Sequence, residues 1–431
     1  MMKILMKIVV FPMLSTRWLD FTLIAFVILC LPLMFHLDVM ITLNVSFSDI
    51  LMVLVMFWLI THQENREYLA IVLRRYYLII LYMLLFIYFC IVSMVNYVTN
   101  IFIDFPYGIS AILKLSVNFI YVVVFLIFFE KYKEELLLLL LRWWKIAALI
   151  ISFLCIGSVI LYQMGIDNAY NLQGRAQATL NDPNLAALYL IISLSLITVL
   201  RILSGKKVII NLPVLIILLA LTFTASRGGI LSLVMSVAIV LFLSFLSARI
   251  KELILFLGIA SFVFFTILWI NQSTDVLNFA LERLVNIGTE GDGTSYRLFL
   301  WKSAFDMWTK NPFIGVGIGQ FIPYSTEMYG NTFYNIPHNT YLSFLTETGA
   351  FGLMAFMWFP VFILFRLISG LVIRGEKTYF YLLIGLIALS IQALTINIEN
   401  IRFVWLFLMI IFVMMKGFHA NQEEPLVKTE Q

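Results

Sequence analysis

Four side chains stand out in this chain for the chemistry they could do together. His338 lies in PHNTYLSFLTETGAFG, Arg175 in NLQGRAQATLNDPN, Arg227 in TASRGG and Arg297 in SYRLFLWKSAFDMWTK. A guanidinium presents a planar fork of donors that grips phosphate oxygens two at a time. An imidazole can take or give a proton near neutral pH. A lone histidine is more often structural than catalytic, and the company of three arginines is what raises the expectation here. The other histidines, His36, His62 and His419, lie at span ends or in segments expected on the opposite side of a membrane. Together the four residues suit a reaction on a diphosphate.

Around them stand candidate supporting residues. Asp182 and Asn184 share the NDPN motif, where Asp182 is also a natural helix cap with Pro183 in the first turn. Asn339 follows the histidine. Glu347 comes nine residues after His338, so on one continuous helix it points the other way, and it reads as structural or acceptor-side. Lys114 lies about two turns into an apolar run, where an ionisable group is either functional or snorkels to the interface. Glu399 and Arg402, three residues apart, are expected to pair with each other. No Asp-x-Asp or His/Asp cluster offers a metal site, and no metal or cofactor is expected. The three cysteines, Cys30, Cys90 and Cys155, all lie in apolar runs and suit buried positions.

The elements that must hold these residues are membrane helices. The chain has 431 residues, 62% of them hydrophobic and 12% charged, with a mean hydropathy of +1.01. Soluble domains carry about 25% charged residues, so the composition excludes them. The pattern predicts an all-α polytopic membrane protein of about 12 spans. These run over roughly 18–37, 41–61, 74–96, 108–129, 144–163, 184–201, 207–224, 228–247, 252–271, 342–367, 378–395 and 400–416. The first two are expected to form a helical hairpin turning at Asp38. Most of the 28 lysines and arginines fall on one side if both termini are cytoplasmic, as the positive-inside rule asks. The layout is an uncleaved, interfacial tail at 1–17, nine spans over 18–271, a large extracytoplasmic loop at 272–341, three spans over 342–416 and a cytoplasmic tail at 417–431. Arg175, Arg227 and Arg297 fall on the outer side, against the charge bias.

Within the loop, Ser295 is expected to cap a helix that Pro312 ends. Its Leu298, Trp301, Phe305 and Trp308 share a face suited to the membrane interface, with Arg297 one turn before Trp301 on that side. The run GVGIGQF lacks the strand and lysine of a nucleotide loop, so its glycines are expected to allow close turning beneath this helix. Pro337 is expected in the first turn of the next helix, placing His338 at its start, with Gly349 and Gly352 loosening the junction that follows.

The ordered motifs GRAQATLNDPNLAALYL, TASRGG, SYRLFLWKSAFDMWTKNPFIGVGIGQF and PHNTYLSFLTETGAFGL resemble the O-antigen ligase and polymerase superfamily over roughly 165–355. Its members are bacterial membrane glycosyltransferases of GT-C architecture. The resemblance implies transfer of an undecaprenyl-diphosphate-linked glycan to an acceptor hydroxyl outside the cytoplasmic membrane, without a metal and with inversion. By position, Arg227 and Arg297 match the family's diphosphate-binding arginines and His338 its essential loop histidine. Arg175 matches less closely, as a supporting diphosphate or glycan contact, and Trp301 is held as a further supporting residue. The implied partners are the lipid-linked donor, a glycan or lipid acceptor, membrane lipids, and a flippase and chain-length regulator of the same pathway, with no nucleic acid. A polymerase of O-antigen, capsule or exopolysaccharide units is favoured, with a ligase to lipid A-core as the alternative. A lipid-linked-glycan flippase is a reading of another class. It would want repeat-related halves, which the sequence does not display.

Overall fold

The computed structural model describes residues 16–39, 41–96, 104–208, 211–246, 294–332 and 334–423. The expected span at 252–271, the first part of the large loop and most of the N-terminal tail lie outside the described residues.

The chain opens with α1 (Thr16–Cys30), a hairpin of β1 (Met34–Val39) and β2 (Ile41–Ser46), then α2 (Phe47–Thr61), α3 (Gln63–Arg75) and α4 (Tyr77–Asn96). Two long helices follow, α5 (Phe105–Tyr132) and α6 (Glu134–Gln163). A small ribbon of β3 (Asn171–Leu172) and β4 (Arg175–Ala176) leads to α7 (Pro183–Leu203), α8 (Leu212–Phe223) and α9 (Arg227–Leu246). The loop contributes α10 (Thr294–Lys310) and α11 (Phe321–Tyr329). The last helices are α12 (Thr340–Ser369), α13 (Lys377–Gln392) and α14 (Arg402–Glu423).

Among the described residues, five helices are long and apolar enough to cross a membrane: Tyr77–Met94, Phe105–Tyr132, Glu134–Gln163, Pro183–Leu203 and Thr340–Ile373. α2 and α3 pass the same test only as a pair, bent by 97° at their junction. Four shorter apolar helices lie at other expected spans, Leu212–Phe223, Arg227–Leu243, Lys377–Gln392 and Arg402–Met415. The protein is an all-α membrane protein. Most of its buried apolar side chains form one core; a smaller core holds Leu300, Ala304 and Met307 of α10 against Val316, Phe321 and Tyr324.

The expected helical hairpin at Asp38 is a β-hairpin instead, paired from Met34↔Ser46 to Val39↔Ile41. Pro32 lacks an N–H and disfavours helix at the residue before it, so α1 stops early. The chain becomes helical again at Ser46, whose side chain accepts from Ser48 N at 3.2 Å while its own N–H donates to Asp49 Oδ2 at 2.9 Å.

α12 is broken at Gly349, which takes φ 68°. A break frees backbone groups that hydrocarbon cannot satisfy. Here the loop after α10 satisfies them. Ala350 N donates to Pro312 O at 2.8 Å and Phe351 N to Phe313 O at 3.3 Å. In return, Thr346 O accepts from Val316 N at 2.9 Å and Glu347 O from Gly317 N at 2.8 Å. Gly315, Gly317 and Gly319 all take positive φ, so the glycine run does turn tightly, and it docks on the broken helix. The side chain of Glu347 completes the seam by accepting from Phe321 N at 3.2 Å.

A second tie binds the distant ends of the chain. Arg402 donates from Nε to Asp49 Oδ1 at 3.1 Å and from Nη2 to Oδ2 at 2.9 Å. Tyr121 OH adds a bond to Asp49 Oδ1 at 2.9 Å. The expected Glu399–Arg402 pair is therefore replaced by Asp49–Arg402, because Asp49 offers both oxygens to the guanidinium fork.

Gly349→Ala tests the seam. A Cβ there would overlap the backbone carbonyl of Phe313, and φ 68° is itself unfavourable for alanine. We expect a loss of about 2 kcal/mol or more, read as a lowered Tm in detergent. A variant as stable as the parent would mean the break is not held this way.

Candidate active site

Three helices begin at the candidate site, and each is preceded by a non-glycine residue in the left-handed region. Asn181 (φ 59°) precedes the Asp182 cap of α7, Ala225 (φ 46°) precedes Ser226 and α9, and His338 (φ 49°) precedes the Asn339 cap of α12. Such residues cost free energy and persist where surrounding contacts enforce them. Asp182 Oδ1 accepts from Asn184 N at 2.5 Å and Leu185 N at 3.1 Å, as expected of a cap. Ser226 Oγ accepts from Gly229 N at 3.1 Å. Asn339 Oδ1 accepts from Leu342 N at 3.0 Å. Pro337 therefore lies before the helix rather than in its first turn, because asparagine is the stronger cap.

Side chains tie these N-termini together. Asn184 Oδ1 accepts from Arg175 Nη2 at 3.2 Å and from Ser226 Oγ at 2.8 Å. Arg175 Nε reaches Thr224 O at 3.2 Å. Gln392 Nε2 donates to Asn184 O at 2.6 Å, and Ala393 O accepts from Thr340 N at 2.9 Å, which brings the start of α12 to the same place. The Gly228–Gly229 pair permits this closeness. A Cβ at Gly229 would sit 2.6 Å from the Ala187 Cβ, and one at Gly228 would sit 2.9 Å from Thr395 Oγ1. Arg227 is thus the first residue of a helix wedged between α7 and the segment after α13.

His338 is half-buried, and its charged neighbours are Arg297 and Asp182. Burial holds its imidazole below the ordinary value; Arg297 pushes the same way, and Asp182 opposes. Among the described residues none is recorded hydrogen-bonding the ring. Its position is set by the backbone, since Trp301 Nε1 donates to Pro337 O at 2.8 Å and so ties α10 to the residue before it.

α10 carries Arg297, but it differs from expectation in two ways. It begins by Thr294, so Ser295 lies inside the helix rather than capping it. The expected aromatic face also divides. Leu298 and Phe305 are 61% and 53% exposed, whereas Trp301 and Trp308 donate to Pro337 O and Pro312 O. The face packed inward is Leu300, Ala304 and Met307, because small and flexible side chains allow close approach.

The segment between α13 and α14 was not singled out beyond Glu399 and Arg402, yet it belongs here. Thr340 Oγ1 donates to Ile396 O at 2.9 Å and accepts from Ile398 N at 3.0 Å. Asn397 Nδ2 bonds Ser343 Oγ at 2.9 Å and Glu399 Oε1 at 3.0 Å. Lys114 faces Glu399 and Arg402 across this segment, away from any recorded contact with His338. Among the described residues, Glu399 Oε2 and the side-chain oxygens of Asn118, Asn397 and Asn400 are buried with no recorded partner. Such oxygens call for hydrogen-bond donors, N–H or O–H groups or water. The polar run NIEN between two apolar helices was the available signal. Glu347, as expected, does not partner His338. Among the described residues no three His, Cys, Asp or Glu are grouped to hold a metal ion.

Residues 212–357 match the family model described as O-Antigen ligase. Over this stretch the chain is similar to the O-antigen ligase family. The O-antigen ligase match begins with α8 and ends within α12, so it encloses Arg227, Arg297, His338 and the Gly349 seam. Arg175, Asp182 and Asn184 precede it and join the site through Ser226 and His338. No curated protein matches the chain.

The electrostatics make a signed prediction. In histidine-labelled NMR spectra, His338 should titrate below about 6.5. Asp182→Asn, which keeps a capping side chain, should move it further down, and Arg297→Gln should move it up. Shifts of opposite sign would show that neither group faces the ring.

Proposed function

We propose that the protein is a glycosyltransferase that moves a polyprenyl-diphosphate-linked glycan onto an acceptor hydroxyl on the outer side of the cytoplasmic membrane. The observation that carries this reading is the convergence of the α7, α9 and α12 N-termini, with Arg227, Arg297 and His338, in a family of O-antigen ligases. Helix N-termini favour anions, and arginine forks suit diphosphate oxygens.

In this scheme neutral His338 takes the proton of the acceptor hydroxyl. The acceptor oxygen attacks the anomeric carbon, and the bond from that carbon to the diphosphate oxygen breaks. The leaving polyprenyl diphosphate carries the electron pair, and Arg227, Arg297 and the helix ends offset its charge. His338 then returns its proton to water. Because burial and Arg297 lower its proton affinity, the base form persists into mildly acidic solution. Arg175 serves by position, with Nε and Nη2 already committed to Thr224 O and Asn184 Oδ1. Leu298 and Phe305 give α10 an exposed apolar stripe for the polyprenyl tail. The acceptor is another lipid-linked repeat unit, which makes the enzyme a polymerase. The description of the matched family favours a second reading, a ligase with a lipid acceptor. A flippase and a chain-length regulator complete the setting in either case.

His338→Ala should lower transfer by about 100-fold or more, and Arg297→Ala should abolish it, each with normal amounts of protein in the membrane. Near-normal turnover by purified His338→Ala would remove the acid–base role. Transfer should persist in excess EDTA; a loss restored by magnesium would assign the charge to a metal instead. Purified protein given lipid-linked repeat units alone should produce length ladders. Product only after adding a core lipid would make it a ligase.

A further inference from the structure

At the other end of α7 lies a cavity of about 480 Å³ that the proposed reaction does not use. Arg142 and Lys145 enter it from α6, Arg201 from the end of α7, and Lys206 from the turn before α8. Among the described residues, no acidic residue lines it. α7 has 21 residues, so about 30 Å separate this cavity from Asp182 at the rise of a helix.

The four cations differ from their neighbours at this end of the helices. Arg17 pairs with Glu135 at 2.7 Å, Arg75 with Glu130 at 3.2 Å and Lys131 with Asp20 at 2.9 Å. Among the described residues no carboxylate is recorded within ion-pair distance of Arg142, Lys145, Arg201 or Lys206. Arg201 is held in place by Lys207 O, at 3.3 Å from Nε and 3.0 Å from Nη2. A rule of topology asks only that positive charge lie on one side. It does not ask that charges from three elements meet in one concavity, where they repel one another. Ile197 and Leu200 form an apolar wall beside them, and Ser204 adds a hydroxyl.

We propose that this cavity binds a phosphate-bearing anion, either the headgroup of an anionic phospholipid or a soluble phosphate. Basic pockets between membrane helices are suited to such headgroups, and the apolar wall gives an acyl chain a path along α7. The site is independent of the donor reading, since it shares no residue with it.

The test is native mass spectrometry of the purified full chain with phosphatidylglycerol, and a parallel arm with inorganic phosphate and glycerol phosphate. Arg142→Gln with Lys145→Gln should weaken binding about 25-fold, at roughly fivefold for each charge removed near the surface. Arg142→Lys with Lys145→Arg should keep it, and Arg74→Gln, outside the cavity, should leave it unchanged. Lipid bound and not displaced by phosphate identifies a headgroup site. Phosphate bound alone, and lost in the double glutamine variant, identifies a soluble-anion site. Equal binding of both probes by the parent and the double glutamine variant would overturn the proposal.

Discussion

The exchange of backbone hydrogen bonds at Gly349 governs how the site is assembled. A break in α12 leaves amides and carbonyls that need partners, and the Pro312–Gly317 strip supplies both kinds. That strip directly follows α10, so the seam fixes α10 against α12. Arg297 belongs to the first of these helices and His338 stands at the mouth of the second. The Trp301 bond to Pro337 O closes the same arrangement from above. A base and a cation more than forty positions apart are thereby brought near each other through these bonds.

The other half of the site is made by packing without bulk. Gly228 and Gly229 let α9 start against α7, and Asn184 binds Arg175 and Ser226 at the meeting point. Three helix starts in one place concentrate partial positive charge, to which Arg227 and Arg297 add whole charges. Asp182 caps α7 with its carboxylate, and its negative charge faces His338 opposite Arg297. The pair Asp49–Arg402 neutralises a further arginine deep in the fold, and removing one partner of such a buried pair costs about 3–5 kcal/mol. Arg402 binds Asp49 and ties the ends of the fold, Arg175 binds Thr224 O and Asn184 Oδ1, and Arg227 and Arg297 are the arginines proposed for the anion site.

Much of this was legible from residue order. Long apolar runs gave helices, and Arg175, Arg227 and Arg297 were singled out as charges expected to stand against the membrane bias. Proline and glycine marked the end of α10 and the break in α12. What escaped depended on pairings across sequence. MFHLDV and ITLNVS are short and apolar enough to pass for helix, and only their mutual pairing makes them strands. Asp49 and Arg402 lie 353 positions apart, whereas Glu399 was the near neighbour. Asn339 outcompeted Pro337 as the helix start through a single side-chain bond. The aromatic stripe of α10 was read by angle, but the tryptophans are held by carbonyls of neighbouring loops, which no helical wheel shows.

The central claim is that Arg227 and Arg297 form one diphosphate site beside a separate base. It is tested most directly by equilibrium binding of a short-chain polyprenyl diphosphate to purified protein. The account predicts that His338→Ala retains affinity, while Arg227→Ala and Arg297→Ala each lose about tenfold or more, as expected for charge-assisted bonds. Unchanged affinity in the double arginine variant would contradict it.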